Sequence, residues 1–134
     1  MQAIKYMVTA ITHKIKVSVE TFYQSDYSYP MGQHFMFAYR IKIENNSKDS
    51  VQLLRRHWHI IDGLGQPREV EGEGVVGEQP VIHPGEQYEY ISGCDLKTDM
   101  GKMFGTYLME NKNTRKSFHV IIPEFYMVSP MKWN

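Results

Sequence analysis

Two histidines separated by one residue, His57-Trp58-His59, and three alternating glutamates, Glu69, Glu71 and Glu73, have the types and spacing to do chemistry. On an extended strand, positions i and i+2 share one face. The imidazoles therefore project together, with Trp58 on the opposite side, and can chelate Zn²⁺ or Co²⁺ when a third ligand arrives from elsewhere. His13, His34, His83 and His119 are donors in principle, but spacing alone brings none of them near. The glutamate row offers hard oxygen ligands for a divalent cation such as Mg²⁺, with waters completing the shell. Carboxylates along one strand converge only where the chain bends. The alternatives are a solvated edge strand whose charges discourage edge-to-edge pairing, and a Trp58 core anchor flanked by surface histidines.

Gly72-Glu73-Gly74-Val75-Val76-Gly77 has the spacing of the dinucleotide fingerprint G-x-G-x-x-G. That fingerprint needs a strand before it and a helix starting within it, so that helix N-terminal amides meet the pyrophosphate. Pro80 follows three residues after Gly77, no helical period comes next, and Glu69, Glu71, Glu73 and Glu78 would repel phosphate oxygens. The residues read as a loop whose glycines supply positive φ or close backbone approach. A backbone nest that binds an anion without a helix stays open. Gly72, Glu73, Gly74, Gly77, Glu78 and Gln79 form the candidate ligand-binding loop.

No catalytic set emerges. Cys94 sits beside Ser92-Gly93 and Asp95 with no neighbouring cation in sequence, which fits a packed thiol better than a nucleophile. Neither a Gly-x-Ser-x-Gly elbow nor a His-Glu-x-x-His pair occurs, so no catalytic residue and no cofactor are assigned. Tyr23, Tyr27 and Tyr29 gather in a polar loop around Pro30, a composition suited to contacting a protein partner.

The elements that must position these residues are strands. From Ile11 to Glu20 apolar residues take the odd positions, with only His13 out of step, and Phe35 to Glu44 repeats the pattern. Asn45-Asn46-Ser47 marks a turn, Val51 to Ile61 a third strand, and Asp62-Gly63-Leu64-Gly65 a loop. His83-Pro84-Gly85-Glu86 has type II turn chemistry before a strand over Gln87 to Ser92. Met103 to Met109 and Ser117 to Phe125 complete the set, joined by a turn near Asn111-Lys112-Asn113. No dozen-residue window carries a helical stripe. The one-face alternation predicts an all-β, antiparallel sandwich or barrel.

The 134 residues predict one domain, preceded by a loose extension over residues 1–7. With 42% hydrophobic residues the chain is no disordered segment. One cysteine excludes an internal disulfide and suits a reducing cytoplasm. No run approaches the roughly 20 apolar residues of a membrane helix. Fifteen Lys and Arg balance fifteen Asp and Glu, and that neutrality argues against nucleic acid as a partner. The zero is a cancellation. Residues 67–95 hold one Arg and seven acids, a net of −6, between two segments of +3 each.

Val51-Gln52-Leu53-Leu54-Arg55-Arg56-His57-Trp58-His59-Ile60, followed by Gly72-Glu73-Gly74-Val75-Val76-Gly77-Glu78-Gln79-Pro80, resembles the ApaG family. Matching pieces continue through Pro84-Gly85-Glu86, Tyr88 to Cys94, Gly101 to Tyr107 and Ile122-Pro123-Glu124-Phe125, so the similarity spans residues 8–134. Met131-Lys132-Trp133-Asn134 departs from the more aliphatic ending of the family. The resemblance implies an immunoglobulin-like or fibronectin type III-like β-sandwich of about seven or more strands. It also implies a bacterial stand-alone protein linked with cobalt and magnesium homeostasis and without an established enzymatic activity. Related eukaryotic segments are attached to F-box proteins and to a polymerase-associated protein, where the role is protein interaction. The family's glycine motif, here Gly72, Gly74 and Gly77, is associated with a pyrophosphate-containing ligand. The expected molecule is thus a cytoplasmic, non-enzymatic interaction module, monomeric or homodimeric, that binds a protein or small ligand through its glycine-rich loop. Direct binding of a divalent cation or a pyrophosphate ligand is the alternative.

Overall fold

The computed structural model describes residues 6–130. Nine strands fill it: β1 (Met7–Thr12), β2 (Ile15–Tyr23), β3 (Phe35–Asn45), β4 (Val51–Asp62), β5 (Pro67–Glu73), β6 (Val81–Ile82), β7 (Gln87–Leu96), β8 (Met100–Asn111) and β9 (Ser117–Val128). Among the described residues, helical structure is confined to two 3₁₀ turns, Ser25–Tyr27 and Pro30–Gly32. No helix among the described residues is long and apolar enough to cross a membrane.

Alternation dictates the layering. Ile15, Val17 and Val19 of β2 and Phe37, Tyr39, Ile41 and Ile43 of β3 are buried on one inner face. Leu53, Trp58 and Ile60 of β4 face them from the other layer, with Met103, Tyr107, Met109, Val120, Ile122, Phe125 and Met127. Each such side chain contributes roughly 1.5–3 kcal/mol by leaving water. One sheet has the order β1-β2-β3-β7; the other runs β5-β4-β8-β9, with β6 on the first residues of β4. All pairings are antiparallel. The result is the antiparallel β-sandwich that the period of two predicts, with a tryptophan buried on a central strand as in immunoglobulin-type sandwiches. Trp58 packs edge-on against Tyr39 (5.5 Å) and Phe125 (5.9 Å), so aromatic rings meet between the two sheets.

Two tyrosines tie the layers together. The hydroxyls of Tyr90, on β7, and Tyr107, on β8, lie 2.5 Å apart in the interior. Buried hydroxyls need partners, and each of these supplies the other's.

Three local features depart from the sequence reading. The Ile11–Glu20 run is not one strand: Thr12 pairs with Ile15 across a two-residue turn, and His13 (φ 49°) and Lys14 (φ 65°) are left-handed. The parity break at His13 is that turn. A bulge between Leu53 and Arg55 then reverses the facing of β4, so Val51 and Leu53 point inward before it and Trp58 and Ile60 after it. Residues 67–73 take the edge-strand alternative and form β5 at the edge of the second sheet. Met7 already belongs to β1 and Tyr6 is exposed just before it; residues 1–5 of the expected extension and the ending, residues 131–134, lie outside the described residues.

Candidate functional site

The β4–β5 hairpin brings the histidine pair and the glutamate row together. Its register sets His57 opposite Glu71 and His59 opposite Glu69, all four on the outer face of the second sheet. His57 Nε2 is 2.8 Å from Glu69 Oε1, and His57 Nδ1 is 3.0 Å from Glu71 Oε1. His59 Nδ1 lies 3.5 Å from the same Glu69 oxygen. The two imidazole centroids are 4.5 Å apart, and His59 stacks on Phe104 of β8 at 4.9 Å and 10°. Both ring nitrogens of His57 thus face carboxylates. A neutral imidazole donates through one nitrogen only, so the pair of contacts calls for a second positive partner, a proton or a metal ion.

The glutamate row does not act as a unit. Glu73 sits opposite Arg55, one step beyond the cluster, and does not join it. His57, His59 and Glu69 each offer a ligand atom, all within 4.8 Å of one another. Among the described residues His13, His34, His83 and His119 do not belong to this group; His83 Nδ1 pairs with Ser50 Oγ at 2.7 Å, and His13 packs edge-on against Phe118. Sequence spacing holds each half of the cluster. The Asp62-Gly63-Leu64-Gly65 loop between two same-parity rows was the signal that could have joined them.

Beyond β5 the glycine segment folds into a closed turn. Val75 and Glu78 exchange backbone hydrogen bonds of 2.8 and 3.0 Å around Val76 and Gly77. The turn is pinned to β4: the Gly74 N–H donates to the Leu54 carbonyl (2.8 Å), and Gln79 Nε2 donates to the same oxygen (2.9 Å). Arg56 Nη1 donates to the carbonyls of Glu73 and Gly74, both at 3.0 Å. Its guanidinium lies against Gly72, where an added Cβ would stand 2.9 Å from it. The Glu78 carboxylate accepts from the Tyr88 hydroxyl at 3.1 Å. Val75 is fully buried, whereas Val76 is 63% exposed at the tip.

The turn's own hydrogen bonds take up part of its anion-binding capacity. The amides of Gly74, Val75 and Glu78 are already bonded within the protein, whereas an anion nest must point such groups outward. The tip backbone is also costly. Val76 has φ 48°, a left-handed conformation that is a genuine outlier for a β-branched residue.

Cys94 is buried on β7. Contrary to the sequence view, a cation does reach it: Arg68 Nη2 lies 3.5 Å from Sγ while also donating to the Asp95 carbonyl. Burial outweighs this guanidinium and pushes the thiol up to about 11, so it is not an activated nucleophile. Tyr27 and Tyr29 are exposed in the β2–β3 connection, and Tyr23 packs edge-on against Phe37. These tyrosines sit at the end where β4 finishes, away from the glycine turn on its first residues.

Known proteins are similar to this chain along most of their length. The ApaG domain family matches residues 25–111. The Protein ApaG of Paramagnetospirillum magneticum is 49% identical over 124 residues, covering 92% of this chain and 95% of that protein. Protein ApaG of Afipia carboxidovorans is 51% identical over the same extent. The crystal structure of the ApaA protein from Bordetella pertussis superposes with a TM-score of 0.85 at 42% identity, covering 90% of this chain and 97% of that one. With a family match across the glycine turn and the histidine strand, and relatives near half identity over nearly their whole length, the chain belongs to the ApaG domain family.

Proposed function

We propose that this protein is a non-catalytic binding module that engages a protein partner through the tip of the glycine turn and the adjoining β5 edge. The observation that carries the reading is Val76. A strained, exposed, apolar residue stands at the apex of a turn that is otherwise fully pinned. Asn or Gly would hold that left-handed position at lower cost, so the valine is better accounted for by what it touches than by the fold. A rigid tip also loses little entropy on docking. The net −6 of residues 67–95 favours a partner with a basic face. A cytoplasmic setting and the link with cobalt and magnesium homeostasis are part of the same proposal. A pyrophosphate-containing ligand is the weaker alternative, because the Gly74, Val75 and Glu78 amides are bonded within the protein and glutamates crowd the segment.

A photoreactive residue placed at Glu73, the exposed position just before the turn, tests this in living cells with Val76 left in place. It is expected to yield a discrete covalent adduct of higher mass, while the same probe at Leu64, exposed at the other end of β4, yields none. Equal labelling from both positions, or none from either, would overturn the reading.

A further inference from the structure

We propose that His57 Nε2, His59 Nδ1 and Glu69 Oε1 form a solvent-open site for a borderline transition-metal dication, of the class of Zn²⁺, Co²⁺, Ni²⁺ or Cu²⁺. Glu69 Oε1 is the common vertex, 2.8 Å from one nitrogen and 3.5 Å from the other. Metal bonds of about 2.0–2.1 Å in tetrahedral geometry place neighbouring donors roughly 3.4 Å apart, so small side-chain adjustments close the set around an ion. The fourth position faces solvent and takes water.

Two observations beyond the ligands support a metal. Glu71 Oε1, 3.0 Å from His57 Nδ1, stands where metal-bound histidines have an outer carboxylate, fixing the tautomer and the ring direction. Phe104 lies flat beneath His59 and holds the second ring. Charge agrees, because neutral imidazoles between Glu69 and Glu71 leave two negative charges for a dication to balance. Two imidazoles select against Mg²⁺, which takes oxygen ligands in octahedral shells. This site shares β5 with the proposed protein contact but does not involve Val76, and its metal binding is read without any partner.

Calorimetry on the full chain with Zn²⁺ and Co²⁺, read beside the histidine ring resonances, tests the assignment. One ion per chain is expected, with the rings of His57 and His59 shifting and those of His13, His34, His83 and His119 unmoved. Cu²⁺ should bind more tightly than Ni²⁺, and Ni²⁺ more tightly than Co²⁺. Hundredfold excess Mg²⁺ should displace none of them. His59→Ala should weaken binding at least tenfold, and the shape-conserving Glu71→Gln by roughly 10–100-fold through ring orientation alone. All these side chains lie on the outer face, and far-UV circular dichroism checks that each variant keeps its fold. Absence of binding at millimolar metal, displacement by Mg²⁺, or unchanged affinity in a folded His57→Ala/His59→Ala variant would overturn the proposal.

Discussion

A side-chain carbon added to Gly74 would lie 2.1 Å from the carbonyl oxygen of Glu78. The two residues approach this closely because the turn folds back onto itself, with Gly74 held to Leu54 and Glu78 held to Val75. The glycine spacing therefore serves closure of a turn, and its similarity to a dinucleotide fingerprint needs no dinucleotide. What the closed turn offers to the outside is the Val76 side chain.

Gly74 and Gly77 should differ sharply on substitution. Gly74→Ala meets backbone and must hold φ 63°, so urea denaturation should show a loss of more than about 2 kcal/mol. Gly77 (φ 80°) has open space around its Cβ direction, and Gly77→Ala should cost only the backbone strain, about 1–2 kcal/mol. Equal losses would mean that the turn is not closed as described.

Val76→Asn should leave the fold intact and raise stability by about 0.5–1 kcal/mol. Asparagine tolerates the left-handed region in which valine is strained, and the tip makes no core contact to lose. A stability loss above about 1 kcal/mol would show that the valine is structural.

The Tyr90–Tyr107 bridge predicts a non-additive mutant cycle. Tyr107→Phe strands the Tyr90 hydroxyl in the core and should cost about 1–3 kcal/mol. Tyr90→Phe should cost a similar amount. The double variant should lose well less than the sum of the two, because no orphaned hydroxyl remains. Simple additivity would deny the bridge.

Alkaline pH should unfold the protein from the interior. Burial raises the Cys94 thiol from 9.0 to about 11 and holds Tyr39, Tyr90 and Tyr107 above their ordinary value of 10.0. Groups raised in the folded state contribute full stability below their unfolded values. That contribution is lost as pH rises, first past 9 for the thiol and then past 10 for the phenols. Each contributes about 1.4 kcal/mol per pH unit across its own window. Denaturation midpoints should fall above pH 9, less steeply in Cys94→Ala. In the same frame Cys94 should resist alkylation at pH 8 while folded and react quickly once unfolded. Flat stability from pH 8 to 11 would contradict the buried placement of these groups.

The sandwich was legible because burial leaves a period of two, clear in Phe37, Tyr39, Ile41 and Ile43. The placement of Trp58 inward with His57 and His59 outward was legible for the same reason. The hairpin at His13-Lys14 was hidden, since two non-glycine residues adopt left-handed backbone there and leave only one parity break as a trace. The bulge after Leu53 was hidden too, because both facings of β4 carry apolar residues. Joining His57 and His59 to Glu69 and Glu71 needs the β4–β5 register, which depends on the length of the connecting loop. Periodicity carries no information about that length. The direction of Gln79, folded back on the Leu54 carbonyl, is likewise tertiary.

The central claim is that the glycine turn displays Val76 for a partner while the fold does without it. The most direct measurement combines Val76→Asn with a photoreactive residue at Glu73, the exposed position just before the turn. The substitution is expected to abolish the covalent adduct formed from position 73 while the protein remains as stable as the parent or more so. An undiminished adduct from the stable Val76→Asn protein would contradict it.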